Sequence, residues 1–440
     1  MFVNRIIVIL LYVSIYVLLV FPVLEQGMFE IGSLHIYFFE IPLVLAYILS
    51  VLTLLLQTKP MNRGIYRVYF LFIPIVFIGF FGAAIHAKVG AATILKDLRP
   101  ILYWLPGMAL AFVGHRHLRL KTLSWVVVAG LLTQFSVALL MVSMDPSLLF
   151  LHGFRLPGRS GYLTLFFVAL FLMMMTHKKS LLSIRQYKIT PIAIIVIPLL
   201  MQVILGQNRT TWIGLFLVLA WWLALHTTFA NKLKFVFLSP ILLLIIWQAL
   251  QFIPYSSDIG HYLHTRLFVS TLSEEGVKST WEGNRSVIYE SNLNDFRQKP
   301  ILGHGFGKQF YFAFAEYGEK EDKEISGCDN SFMTVLVKTG LAGLIFFIVA
   351  IYKMYSIMKT ATSRINFSEE WLYLKSMIFV FPFYILISLN INILYGYPEV
   401  MIFSLFFAKA ALLSNEVYRS KPEGSNRSMA NNFPKQGNVK

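Results

Sequence analysis

The sequence predicts an all-α, polytopic integral membrane protein with about twelve transmembrane helices and one long external loop. Three observations carry that prediction. Hydrophobic residues make up 57% of the 440-residue chain and charged residues only 14%, well below the roughly 25% charge of soluble domains. Apolar runs recur from Ile6 to Leu412, each long enough, or nearly so, for a hydrocarbon core of roughly 30 Å. Basic residues, which bring the net charge to +16, gather between alternate runs, as expected of cytoplasmic connections. Soluble globular, disordered and disulfide-framework classes are therefore excluded, and the lone Cys328 can form no internal disulfide.

Taken in order, the expected spans are 5–24, 36–56, 68–86, 100–114, 123–143, 160–176, 190–206, 210–227, 235–254, 331–352, 373–393 and 398–414. The first run lacks a small-residue cleavage site and is followed by many more, so it is read as a retained helix. An even number of spans places both termini on one side. The connections bearing Lys59/Arg63/Arg67, Arg116/Arg119/Lys121, Lys178/Lys179/Arg185/Lys188, Lys232/Lys234 and Lys353/Lys359/Arg364 fall on that same, cytoplasmic side, with Arg5 and the basic tail. Residues 1–254 thus supply nine helices, 255–330 the external loop and 331–414 the last three helices. Residues 415–440, rich in Asn, Ser, Gly, Pro and Lys, are expected to be a disordered tail.

The loop holds 12 of the 22 acidic residues and is the only soluble-facing segment large enough to build a chemical site. Trp281, Val287, Ile288, Tyr289 and Phe296 punctuate it in a pattern compatible with an amphipathic helix. The turn-rich run from Pro300 to Gly307 stops that helix. Phe310 to Tyr317 is aromatic enough to lie at the membrane interface. Elsewhere on the outer side, Gly206-Gln-Asn-Arg209 turns the chain sharply between spans. The 144–160 loop carries Arg155 and Arg159, and the 87–99 loop carries Lys88, Lys96, Asp97 and Arg99.

Arginines kept outside against the positive-inside bias are candidates for anion binding. Arg155, Arg159, Arg209, Arg266 and Arg285 could converge on a phosphate or diphosphate, which a planar guanidinium binds through paired hydrogen bonds. The bland alternative pairs them with loop acids or lipid headgroups. Asp329 is a candidate to take a proton from an attacking hydroxyl, and Asn330 to hold that carboxylate or a sugar hydroxyl. Either residue is equally suited to cap the next helix. His304 is a phosphate donor, a base or a structural residue. Glu282, Glu290 and Asp295 are alternative carboxylates unless simply solvated. Gly340 and Gly343 have the spacing for close helix packing. No metal-ligand spacing, Walker phosphate loop or dinucleotide fingerprint occurs, so no cofactor is expected.

From about Gln207 to Phe347 the chain resembles the bacterial O-antigen ligase and polymerase family, including exopolysaccharide polymerases. The segments that carry the likeness are Gly206-Gln-Asn-Arg209-Thr-Thr-Trp212, Gly283-Asn-Arg285 with Tyr289, Asp295 to Gly307 and Asp329-Asn330-Ser-Phe332 with Gly340-Leu-Ala-Gly343. The resemblance implies a donor glycan on undecaprenyl diphosphate, with Arg209 and Arg285 binding the diphosphate. The family's ligases usually present His-Asn where this chain has Asp329-Asn330, a departure that favours polymerisation of repeat units. The implied setting is the bacterial inner membrane, with both termini cytoplasmic and the long loop outside. The implied partners are the lipid-linked donor, a glycan acceptor, membrane lipids and a chain-length regulator, with no nucleic acid. The rival readings are a ligase that transfers the glycan to lipid A core or another acceptor, and a lipid-linked oligosaccharide transporter.

Overall fold

The computed structural model describes residues 2–20, 28–31, 34–56, 63–85, 90–113, 117–144, 161–177, 196, 209–226, 286–316, 319–325, 330–365, 368–389, 393–396 and 399–420. In chain order the helices are α1 (Phe2–Val20), α2 (Glu40–Leu56), α3 (Arg63–Tyr69), α4 (Phe72–Ile85), α5 (Ala91–Leu102), α6 (Pro106–Val113) and α7 (Leu120–Met144). They continue with α8 (Gly161–Thr176), α9 (Arg209–His226), α10 (Ser286–Gln298), α11 (Ser331–Arg364), α12 (Glu369–Ser388), α13 (Ile393–Gly396) and α14 (Val400–Ser420). Two antiparallel hairpins join them: β1 (Met28–Ile31) with β2 (Leu34–Tyr37), and β3 (Phe310–Glu316) with β4 (Glu319–Ile325).

Among the described residues five helical stretches are long and apolar enough to cross a membrane: Phe2–Val20, Gly64–Ile85, Leu120–Met141, Ser331–Arg364 and Glu369–Ser388. Shorter apolar helices cover Glu40–Leu56, Tyr162–Thr176, Thr211–Leu225 and Val400–Ser414. The protein is a helical membrane protein, and these helices are predominantly apolar on their outward as well as their inward faces, as lipid contact requires. On α1, Ile7, Leu11, Ile15 and Leu18 are buried while Ile9, Val13 and Tyr16 face outward. Large aromatics fill the centre, where Tyr384 and Phe403 rings lie 4.6 Å apart, with Phe347, Phe381, Phe406 and Phe407 buried around them.

Several expectations are corrected. The fourth span, 100–114, is not one helix: the chain turns at 103–105, and Pro106, which has no amide hydrogen to donate, opens α6. With 8 residues, α6 is about 12 Å long and cannot cross alone. The 87–99 loop instead contains most of α5. The aromatic run at Phe310 is a β-strand paired with the charged strand β4, a short hairpin carried on the helical framework. Helix α14 continues through Ser420, past the point where the tail was expected to begin. The expected spans 190–206 and 235–254 lie outside the described helices, so the expected twelve is not settled by them.

Cross-links define two ends of the bundle. At one end α8 and α11 begin where α12 stops: the Tyr384 hydroxyl donates to Tyr162 O at 2.8 Å, and Asn330 Nδ2 donates to Leu389 O at 2.8 Å. At the opposite end the start of α1 meets the end of α6 through Asn4 Nδ2 and Val113 O at 3.2 Å. There Lys409 donates to Leu118 O at 2.6 Å and pairs with Glu370 at 3.5 Å, while Lys121 pairs with Glu369 at 3.2 Å.

Candidate functional site

The first end gathers the segments that the sequence singles out. Asn330 adopts extended backbone angles (φ −118, ψ 120), and its Oδ1 accepts from Phe332 N at 2.9 Å and Met333 N at 3.0 Å. It is therefore the N-cap of α11, satisfying two amides that have no partner within the helix. Its Nδ2 uses Leu389 O, and the same carbonyl accepts from the Tyr289 hydroxyl of α10 at 3.2 Å. One peptide oxygen at the end of α12 thus ties α10 to the start of α11. Ser331 Oγ accepts from Leu394 N at 3.0 Å and adds α13 to the junction. Helix α9 enters at the same end. A Cβ added to Gly214 would lie 2.8 Å from Ile387 Cδ1 and 2.9 Å from Leu165 Cδ1, so α9 sits tightly against α12 and α8.

The glycine-rich turn does more than end α10. It enters the bundle and pairs with a break in α11, where Gly340 (φ 65, ψ −170) leaves the helical region. His304 N donates to Val337 O at 2.9 Å, Gly305 N to Lys338 O at 2.8 Å, and Leu341 N to Pro300 O at 2.8 Å. The loop thereby takes up backbone groups that a broken helix would otherwise leave unpaired in an apolar setting. On its other side Phe306 N donates to Gly79 O at 2.8 Å, and the fully buried Phe306 packs edge-on to Phe80 at 5.7 Å. Gly303, Gly305, Gly307 and Gly340 all have positive φ. Gly340 is therefore the break in α11 against which the loop backbone packs, not simply a small residue in a helix interface.

At the base of this insertion lies a buried ion pair that the sequence reading passed over. Lys338 Nζ is 2.6 Å from Asp97 Oδ1, and each side chain is only 1% exposed. Asp97 Oδ2 accepts from Gly307 N at 2.5 Å, and the Lys338 ammonium lies 5.5 Å from the Phe310 ring centre. A signal was present: Lys338 is the lone charge within the expected span 331–352, and Asp97 the lone acid of the 87–99 loop. An ionisable residue inside an apolar span calls for a named partner.

His304 donates Nε2–H to Asp295 O at 2.7 Å, which fixes the proton on Nε2 because a carbonyl can only accept. Burial pushes its pKa down; the Asp295 carbonyl bond works against that, and the Lys308 ammonium lowers it further. The ring is thus neutral near pH 7 and clips the glycine-rich loop to the end of α10. The Asp295 carboxylate pairs with Lys308 at 2.9 Å, and Glu290 is exposed. Asn292 is buried on the same helix, and its Nδ2 makes no hydrogen bond.

Arg209 is the first residue of α9, but its side chain lies outside the described set, as do Arg155, Arg159, Arg266, Arg285, Asp329 and Glu282. Arg285 immediately precedes α10, and Asp329 immediately precedes the capping Asn330. The helices that follow Arg209, Arg285 and Asp329 consequently start at, or are tied into, one end of the bundle.

Residues 194–348 match the family model described as O-antigen ligase. The match takes in Arg209, Arg285, His304, Asp329, Asn330 and the broken first part of α11, and leaves out Arg155, Arg159 and Asp97. No curated protein matches the chain.

Proposed function

From the match of residues 194–348 to the family model described as O-antigen ligase, we propose that this membrane protein belongs to the O-antigen ligase/polymerase family and polymerises undecaprenyl-diphosphate-linked oligosaccharide repeats of O-antigen or exopolysaccharide. The reaction takes place on the outer face of the bacterial inner membrane. The observation that carries this reading is the meeting of α9, α10 and α11 at one end of the bundle, through Gly214 against Ile387 and the shared Leu389 carbonyl. Those are the helices led by Arg209, Arg285 and Asp329.

In the mechanism, Arg209 and Arg285 neutralise the donor diphosphate, with Arg155, Arg159 and Arg266 as further anion contacts. An acceptor hydroxyl attacks the anomeric carbon; the new glycosidic C–O bond forms as the bond to the diphosphate oxygen breaks. Asp329 takes the hydroxyl proton, and undecaprenyl diphosphate leaves with the bonding electrons. Arginines aimed at the departing charge stabilise the transition state more than the ground state. Direct displacement inverts the anomeric configuration, so a retained configuration by NMR would sink that version. Both termini are cytoplasmic in this reading, and a chain-length regulator is the proposed protein partner.

The ligase reading has one observation of its own, since the matching family model is described as ligase. Asp329 in place of the ligases' usual histidine argues for polymerisation. A time course of lipid-linked glycan sizes decides between them, using protein in bilayers supplied only with its native undecaprenyl-diphosphate repeat. A ladder of longer carrier-linked chains, lost in Arg285→Ala and Asp329→Asn, is expected. No extension, followed by transfer to added lipid A core, would replace polymerase by ligase; flipping without transfer would make it a transporter.

A further inference from the structure

We propose that Asp97 and Lys338 are positioning residues for the glycosyl-transfer site, setting the register of α10 against α11 from beneath the glycine-rich loop. The inference rests on the reading above only for its activity measurement. Its basis is a closed ring of contacts. The Lys338 carbonyl accepts from Gly305 N at 2.8 Å, the Lys338 ammonium meets Asp97 Oδ1 at 2.6 Å, and Asp97 Oδ2 accepts from Gly307 N at 2.5 Å. One lysine thus grips the loop at two amides, directly through its backbone and indirectly through the aspartate. Slipping the loop by one residue would break both grips together.

The pair is poorly explained as a source of stability. Desolvating two charges consumes most of their mutual attraction, and a well-packed apolar pair would serve as well or better. What a buried pair adds is a demand for one geometry, because each charge is penalised wherever its partner is absent. Here that demand falls on the loop joining α10 to the hairpin. Just above it, His304 N donates to Val337 O and His304 Nε2–H to Asp295 O, so the loop's register passes directly to the end of α10. The far end of α10 follows Arg285, and α11 follows Asp329. A register change of one residue moves extended chain by about 3.3 Å, far more than a transfer site tolerates.

Two measurements on the full chain in bilayers test this. Chain growth gives kcat and KM for the lipid-linked donor. Spin labels at the exposed positions Asn294 on α10 and Lys359 on α11, in a Cys328→Ser background, give a distance distribution that needs no substrate. Asp97→Asn, which keeps shape and the acceptor for Gly307 but removes the charge, is expected to broaden that distribution. It should also lower kcat roughly a hundredfold, the scale of a misplacement of about 1 Å, while leaving KM little changed. Asp97→Glu restores the charge pair and should recover a single narrow distance and much of the kcat. If Asp97→Asn does not fold, Lys338→Arg supplies the comparison, with a wider cationic head expected to shift the distance and lower kcat. A narrow, unshifted distance in the charge-removing variant overturns the proposal, whether kcat is retained or lost. If the wild-type protein is inactive on the lipid-linked donor yet Asp97→Asn broadens the distance, the positioning role stands and the polymerase reading falls.

Discussion

Gly305→Ala is the sharpest test of the inserted loop. Gly305 has φ +89, and an added Cβ would overlap Ala83 N and Gly82 C and lie 2.8 Å from Ala83 Cα. These are backbone atoms of α4, so no side chain can turn aside to make room. Forcing alanine into this conformation costs roughly 1–2 kcal/mol, and overpacking against a rigid neighbour about 1–3 kcal/mol more. If the loop withdraws instead, it gives up Gly305 N to Lys338 O, Phe306 N to Gly79 O and Gly307 N to Asp97 Oδ2, at about 1 kcal/mol net each. It would also uncover the fully buried Phe306. Accommodation in place costs roughly 2–5 kcal/mol, and withdrawal about 3 kcal/mol before the exposure of Phe306 is added, so either response weakens the seating of the loop by several kcal/mol. Hydrogen exchange of 303–307 and thermal unfolding in detergent would report it: the loop amides lose protection and the melting temperature falls. Gly90→Ala is the control, since Gly90 has nothing within 4 Å of an added Cβ. Unchanged protection at Phe306 and Gly307 in Gly305→Ala would show that the loop is not seated between α4 and α11, and the packing argument would fail.

Two further predictions concern the site end. Asn330→Ala removes the acceptor for Phe332 N and Met333 N together with the tie to Leu389 O, and should cost about 1–2 kcal/mol; Asn330→Asp keeps the cap and should lose less, a ranking that thermal unfolding reads directly. His304 has a folded pKa lowered chiefly by burial, so between that value and its unfolded value of about 6.5 the unfolded chain binds more protons. Its contribution is fully present above the unfolded pKa and is lost as pH falls through the folded pKa; unfolding followed from pH 7.5 downward should show the decline weakened in His304→Gln, and an identical pH profile for the two proteins would contradict the burial of the neutral ring.

Much of the helical framework is readable from local composition. The runs at 5–24, 123–143 and 160–176 correspond to α1, α7 and α8 within a few residues, because a membrane-crossing helix satisfies its own backbone and needs only an uninterrupted apolar stretch. The amphipathic pattern in the loop anticipates α10, and Asn330 caps its helix as one of the two weighed roles required. The fourth run misled because hydropathy averages across Pro106 and does not register the turn before it. The strand at Phe310 was not legible for a related reason: strand pairing depends on a partner strand, β4, whose charged sequence carries no apolar signal.

The site divides along the same line. Residue chemistry named the arginines, the carboxylate and the glycine-rich turn, since each is conspicuous where it stands in the chain. Lys338 stands out as a lone charge in an apolar span and Asp97 as the lone acid of its loop, but nothing local to either names the other as its partner. Membrane residence and helix identity follow from properties summed over some twenty neighbouring residues, so the amino-acid order settles them. The insertion of Gly303–Gly307 between α4 and the Gly340 break does not. It depends on a carboxylate meeting an amide 210 residues away, on the absence of Cβ atoms at Gly79, Gly82 and Gly305, and on broken-helix carbonyls that exist only once α11 has kinked. Such contacts are fixed when segments distant in sequence pack together, since desolvation penalises a buried charge or amide until its partner arrives.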